Sequence, residues 1–195
     1  MRLKALLIVG VSLCATLVCS HATAQHTAAP LEIGLDYNYV HTNAPPAGCG
    51  CFSMQGGGGS AFWAVSPRFE PMLKVTTTSA SAINGTSSNL RLTSYLFGAR
   101  SAYHVNRLFA PFGEVALGVS HASGTLVSPG SGAATNVFAA TVGGGLLLDL
   151  TPRIAIKAAQ ADWYLTQVPN GINGHQNNVL LSAGVVFRLG PTKSR

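Results

Sequence analysis

The segment from Leu31 to Tyr39 alternates without a break. Leu31, Ile33, Leu35, Tyr37 and Tyr39 are apolar or aromatic, and Glu32, Gly34, Asp36 and Asn38 between them are polar or small. Successive side chains of an extended strand point to opposite faces, so this segment has one greasy and one polar face. The far end of the chain repeats the device: Val179, Leu181, Ala183, Val185, Phe187 and Leu189 alternate with Leu180, Ser182, Gly184, Val186, Arg188 and Gly190. A period of two at both ends restricts the chain to β structure. It does not yet say whether the greasy face meets a protein core or lipid.

Composition decides that point. Only 9% of residues are charged, against about 25% in an ordinary soluble domain. A soluble sandwich also alternates, but its outer face carries more charge than this chain can supply. Apolar residues make up 47%, yet after the N-terminus no continuous apolar run approaches the roughly 18 residues of a spanning helix. The strands themselves must therefore cross the membrane. In hydrocarbon an unpaired edge costs several kcal/mol per backbone group, so the first strand must pair with the last. The expected fold is all-β: an eight-stranded antiparallel up-and-down transmembrane β-barrel.

Between the two ends six further strands are expected, roughly Ser60–Ser66, Phe69–Ser79, Leu90–His104, Ala110–His121, Val137–Leu150 and Arg153–Thr166. Pro45-Pro46, the Gly56–Gly59 run, Asn84-Gly85, Pro129-Gly130 and Asn170-Gly171 fall in long polar links. Short links fall near Pro67-Arg68, Asn106-Arg107 and Thr151-Pro152. Long loops outside and short turns inside are the arrangement of outer-membrane barrels, and about 10 residues per strand suit eight strands rather than sixteen. Trp63, Phe69, Phe109, Phe112 and Phe187 are expected near the short-turn interface, and Tyr37, Tyr39, Trp163 and Tyr164 near the loop side, where amphipathic rings sit well.

The first residues read as a targeting segment. Arg2 and Lys4 form a basic start, Ala5 to Cys19 an apolar stretch, and Ala22-Thr23-Ala24 a small-x-small cleavage signal. Residues 1–24 are thus expected to be a cleaved secretory signal, 25–190 the barrel and 191–195 a short tail. Losing Arg2 and Lys4 lowers Lys+Arg from 12 to 10 against 6 acidic residues, leaving a net charge of +4. That is no nucleic-acid footprint. The cysteines left after cleavage are Cys49 and Cys51. In an oxidising compartment they could close a small, strained disulfide loop or stay as two thiols. A metal site would need a further ligand, for which His41 is the one neighbour.

On the face opposite the apolar stripe lie Glu32, Asp36, Glu70, Lys74, Arg100, Glu114, Lys157 and Arg188. An eight-stranded barrel is just wide enough inside to be filled by side chains, so these eight are expected to pair as a lumen charge network. Lys157 and Asp162 conflict, because they have opposite parity in one strand. Both can face inward only past a bulge; otherwise Asp162 stands at the outer rim.

Signs of catalysis are few. His121-Ala122-Ser123 places a His and a Ser on one strand face and is similar to the His-x-Ser of outer-membrane lipid A deacylases. Such a site needs a partner to orient the His, and no Asp or Glu occurs from Ser123 to Leu148. Gly143-Gly144-Gly145 lacks the Lys and helix start of a phosphate loop and reads as a closely approached strand.

Four longer segments carry a family resemblance: Leu92–Arg100, Ala110–Gly118, Ala158–Thr166 and Asn177–Gly190. They resemble the outer-membrane β-barrel domain family, which is similar to opacity proteins and to the N-terminal barrel of OmpA. The likeness covers most of the chain after the signal and is strongest after Leu90. Its motifs are strand patterns, specific for fold and weak for activity. Unlike in OmpA-type proteins, no peptidoglycan-binding domain is expected after Gly190, and wall anchoring is not an expected role.

The expected function is that of a non-enzymatic integral protein of the outer membrane, structural or surface-interacting through its long loops. The alternatives are a small pore or ligand carrier and, less favoured, a lipid-modifying enzyme using His121 and Ser123. No cofactor, catalytic residue or metal is expected. The expected partners are outer-membrane lipid and, during biogenesis, the assembly machinery; the barrel is expected to be monomeric and to bind no nucleic acid.

The last strand gives a direct test of facing. Val185→Arg places a charge in lipid, at about 2–4 kcal/mol near the bilayer midplane and less near an interface, and should impair assembly. Ser182→Ala, on the lumen face, should be tolerated. Outer-membrane yield and heat-modifiable migration on gels compare the two; the reverse outcome would put the register off by one residue.

Overall fold

The computed structural model describes residues 31–42, 51–66, 68–85, 87–127, 134–168 and 174–190. Eight strands form: β1 (Leu31–His41), β2 (Ser53–Trp63), β3 (Glu70–Ala80), β4 (Leu90–Ala102), β5 (Phe109–Ser123), β6 (Thr135–Thr151), β7 (Ile154–Thr166) and β8 (Gln176–Leu189). Each pairs antiparallel with the next, and β8 pairs with β1 from Leu31↔Leu189 to His41↔Val179, closing the barrel. Every strand is therefore paired on both sides, which removes the edge that hydrocarbon would penalise. Residues 64–69, 103–108 and 152–153 make the short turns, at the same end as Leu31 and Leu189. The four longer connections, β1 to β2, β3 to β4, β5 to β6 and β7 to β8, leave the strands at the other end. The targeting segment, Cys49, Pro45-Pro46, Pro129-Gly130, Asn170-Gly171 and the 191–195 tail lie outside the described residues.

Most strands keep the limits expected of them to within a few residues, and β2 does not. It spans Ser53–Trp63 and carries Gly56–Gly59 in its middle, where a polar link was expected. The strand survives without side chains because its neighbours cover it. Gly57 and Gly59 lie opposite Tyr37 and Leu35 on the outer wall, and the Tyr37 hydroxyl donates to Gln55 Oε1 at 2.5 Å. An aromatic laid over glycines in a neighbouring strand compensates for what they cannot pack. Inside, a Cβ at Gly58 would press on the Asn38 amide and the Val75 carbonyl.

The pairing also fixes the width of the lumen. Following register partners from Glu32 passes Phe62, Met72, Gly98, Ala116, Thr141 and Tyr164 to Asn178. Asn178 lies one residue past Val179, the partner of His41. The circuit closes level with Thr42, ten residues up β1 from its start. At about 3.3 Å per residue and about 4.8 Å between strands, this stagger tilts the strands by about 40°.

One irregularity settles the parity conflict in β7. Lys157 pairs with Leu147 and Gly184, whereas Ala159 pairs with Leu146 and Gln160 with Ser182. The strand thus holds one residue more than either neighbour at Ala158-Ala159, which is a β-bulge. Below it the odd positions Ala155 and Lys157 are buried; above it the even positions Gln160, Asp162, Tyr164 and Thr166 are. Asp162, expected at the outer rim unless a bulge intervened, faces inward at 2% exposure. Two further expectations change. Phe112 and Tyr164, assigned to the interfacial belts, have inward parity and are buried at 7% and 3% exposure.

Deleting Ala158 removes the surplus residue, so Lys157 below and Gln160, Asp162 and Tyr164 above then face inward in unbroken alternation, and heat-modifiable assembly should be kept. Deleting Trp163 instead should abolish it, because either the bulge stays and Tyr164 and Thr166 turn toward lipid, or it is lost and Gln160 and Asp162 do. Loss of assembly without Ala158, or normal assembly without Trp163, would show that the surplus residue does not set the facing of β7.

Candidate functional site

The outer wall of the strands, between the two rims, is apolar and uncharged. Leu35, Leu73, Val75, Phe97, Val115, Leu117, Val142, Val179 and Leu181 all stand exposed on it. The charges lie within. All six acidic residues of the chain, Glu32, Asp36, Glu70, Glu114, Asp149 and Asp162, face the lumen, with Lys74, Arg100, Lys157 and Arg188.

These side chains form two layers. In the layer nearer the short turns, Arg100 pairs with Glu32 and donates from Nε to Glu70 Oε2 at 2.5 Å. Arg188 donates from Nε to Glu32 Oε1 at 2.7 Å and from Nη2 to Asp149 Oδ1 at 2.6 Å. His104 Nε2 lies 3.2 Å from Asp149 Oδ2. The Arg100 guanidinium also stacks 3.7 Å from the centre of the Phe62 ring, a cation–π contact that a dry site strengthens. In the next layer Lys74 donates to Glu114 at 2.7 Å and to Asp162 at 3.1 Å. The Gln160 amide donates to the same two carboxylates at 2.6 and 2.7 Å, and Lys157 donates to Asp36 Oδ2 at 3.1 Å. Small residues leave the room: a Cβ at Gly143 would run into Asp162 and one at Gly184 into Asp36.

The eight charges singled out in the sequence are thus all lumen-facing, divided between the layers. Asp149, His104 and Gln160 were missed. Asp149 shares the parity of buried Leu147, but the run Leu146–Leu150 hides that parity because it is apolar on both faces.

Above the ions the lumen changes character. The Tyr164 hydroxyl reaches across to Ser94 at 2.5 Å and Ser120 at 3.0 Å, and the two serines bond each other. Ser182 donates to Asn38 Oδ1 at 2.7 Å. Toward the loop end Val40, Met54, Leu90, Leu92 and Leu180 form an apolar layer. Each long connection adds to it: Phe52 from the first, Ile83 from the second, Leu126 and Val127 from the third, Val168 from the fourth. An ionic layer at one end and an apolar stopper at the other fill the barrel.

His121 and Ser123 lie on the outward face of β5 near the loop rim. His121 Nδ1 donates to Asn136 Oδ1 at 2.9 Å. Since all six carboxylates point into the lumen, none is on the outer wall to orient this ring. Cys51 is exposed just before β2; Cys49 lies outside the described residues, so their pairing stays an expectation of the sequence.

A closed eight-stranded barrel with a charge-free apolar wall and a polar interior is an integral protein of the outer membrane. The model of the outer membrane protein β-barrel domain matches residues 10–187, and the chain belongs to that family. No curated protein matches it in sequence. Among solved structures it is similar to the neisserial surface protein NspA, with a TM-score of 0.64 and 16% identity over 82% of this chain and 97% of that one. It is similar to Ail, the attachment invasion locus protein of Yersinia pestis, at TM-score 0.58 and 12% identity over 83% and 99%. It is also similar to OprG of Pseudomonas aeruginosa, at TM-score 0.53 and 8% identity over 85% and 98%. At these identities the likeness is one of fold.

Removing one member of a buried pair strands its partner, at about 3–5 kcal/mol. Lys74→Met should therefore lower the urea midpoint of the refolded barrel sharply, because Glu114 and Asp162 both lose their cation. Adding Glu114→Gln and Asp162→Asn to Lys74→Met should restore most of the loss. An equal midpoint for the single variant and wild type would show that the layer does not hold the barrel together.

Proposed function

We propose that this protein is a closed, non-enzymatic barrel of the outer membrane whose work is done by the surface it displays at its long connections. The observation that carries this reading is the filled lumen. Lys74, Arg100 and Lys157 are each within 2% of full burial and held in ion pairs, and all four connections contribute side chains to the stopper. A lumen for ions or ligand needs a gap among the inward charges, and here the charges interlock. The apolar layer adds a second barrier that no hydrated ion crosses cheaply.

A surface role draws support from the distribution of chain length. The short turns need only a few residues to reverse direction, and the other end carries connections far longer than reversal requires, which is where binding residues gather on a rigid scaffold. Two of the proteins similar in fold are named for a cell surface and for attachment. Against an enzyme at His121 and Ser123 stands the inward facing of every carboxylate. Lipid and the assembly machinery are the partners this reading requires, with the barrel acting as a monomer.

In planar bilayers the protein should give no conductance steps above background across a range of salts. Discrete, reproducible steps from the wild type would overturn the reading in favour of a pore.

A further inference from the structure

The inward packing of every acid leaves the exposed surface with charges of a single sign. Among the described residues the exposed formal charges are Arg68, Arg91, Arg107 and Arg153. Three of the four sit at one end, one in each short turn: Arg68 between β2 and β3, Arg107 between β4 and β5, Arg153 between β6 and β7. No carboxylate lies within ion-pair distance of any of the three among the described residues.

The same turns expose apolar side chains that a water-facing turn has no use for. Val65 and Val105 are 58% and 62% exposed, and Leu108 is 41% exposed. Phe69, Tyr103 and Leu150 stand exposed beside them at the strand ends. Two of the three turns are tied by side chains: Asn106 Oδ1 accepts from the Leu108 and Phe109 amides at 2.8 Å each, and Thr151 Oγ1 from the Arg153 and Ile154 amides at 3.2 and 2.9 Å. At the loop end, by contrast, the outward positions are polar and mostly uncharged, such as Ser79, Thr93, Ser123 and Asn177.

Apolar side chains next to unpaired cations are the composition of segments that lie in a membrane interface, with the apolar part among acyl chains and the cation among headgroups. Arginine binds phosphate in a bidentate fork, so an anionic phospholipid supplies the matching group. The arrangement favours a lipid over an acidic protein. The three arginines are spread around the rim at alternate strand junctions. A membrane meets every side of a barrel at once, whereas a docked protein meets one. We propose that the short-turn rim is a belt that binds anionic phospholipid headgroups, each turn holding one phosphate through its arginine.

The test reconstitutes the full chain in vesicles of equal phosphatidylglycerol and phosphatidylcholine, extracts it in mild detergent and quantifies retained lipid by mass spectrometry. Wild type should retain phosphatidylglycerol in several-fold excess; a basic side chain at an anionic surface gives about five-fold preference, or about 1 kcal/mol. Arg68→Gln, Arg107→Gln and Arg153→Gln should each remove part of the excess, and the triple variant should retain the two lipids in the vesicle ratio. The triple Lys variant should keep the excess. Heat-modifiable migration checks that each variant is folded, and the single variants decide the matter if the triple Gln variant does not fold. Retention in the vesicle ratio by wild type would overturn the proposal, as would an undiminished excess in the Gln variants or an excess that depends on Arg91 alone.

Discussion

A charge in the middle of the outer wall of this barrel would face hydrocarbon, and among the described residues the one formal charge that a strand carries outward, Arg91, stands at the loop rim. Six carboxylates must then share a lumen of eight strands with the cations that neutralise them. The rest of the architecture follows from fitting them in. Glycines at 143 and 184 stand beside Asp162 and Asp36, where a methyl group would collide. Glu32 bridges two arginines, and Lys74 bridges two carboxylates. The bulge at Ala158-Ala159 lets one strand give two charges of opposite sign to the same layer, turning Lys157 inward below it and Asp162 inward above it. Buried pairs of this kind add little net stability compared with apolar packing, but they are costly to break. Their effect is to fix which face of each strand looks inward.

The two ends of the molecule are finished differently. At the loop end the lumen is stopped by side chains from all four connections, so the ionic layers are cut off from that side. At the other end the turns are short, two of the three are tied by side-chain caps, and they present arginine with apolar neighbours. On the function and the lipid belt proposed above, one end meets a surface partner through its long connections and the other sits in a headgroup layer.

How much of this could be read from residues alone depends on whether a strand keeps one uniform parity. β1 and β8 do, and their alternation carried the barrel, its closure and the facing of Asp36 and Arg188. The eight charges could be found because each sits opposite a clear apolar stripe. Where side chains carry no contrast the reading failed. Gly56–Gly59 has no faces to alternate, so a strand looked like a link. Ala158 and Ala159 are equally acceptable in lipid and lumen, so the bulge between them left no mark except the clash of Lys157 with Asp162. Phe112 and Tyr164 look like interfacial aromatics; only the parity they share with Glu114 and Asp162 gives them away. The stopper was beyond reach, because loop residues such as Ile83 and Val168 have no period, and their contact exists only after the barrel has closed.

The inward facing of Asp162 past the bulge is where the charge-inside arrangement is most exposed to test. In a background free of other cysteines, Ala161→Cys and Gln160→Cys can be labelled in membranes with a maleimide that partitions into lipid. The expected result is rapid labelling at 161, on the outer wall, and protection at 160, within the ion-paired lumen. Labelling at 160 with protection at 161 would mean that β7 runs without its bulge, that Asp162 faces lipid, and that the paired lumen layer described here does not exist.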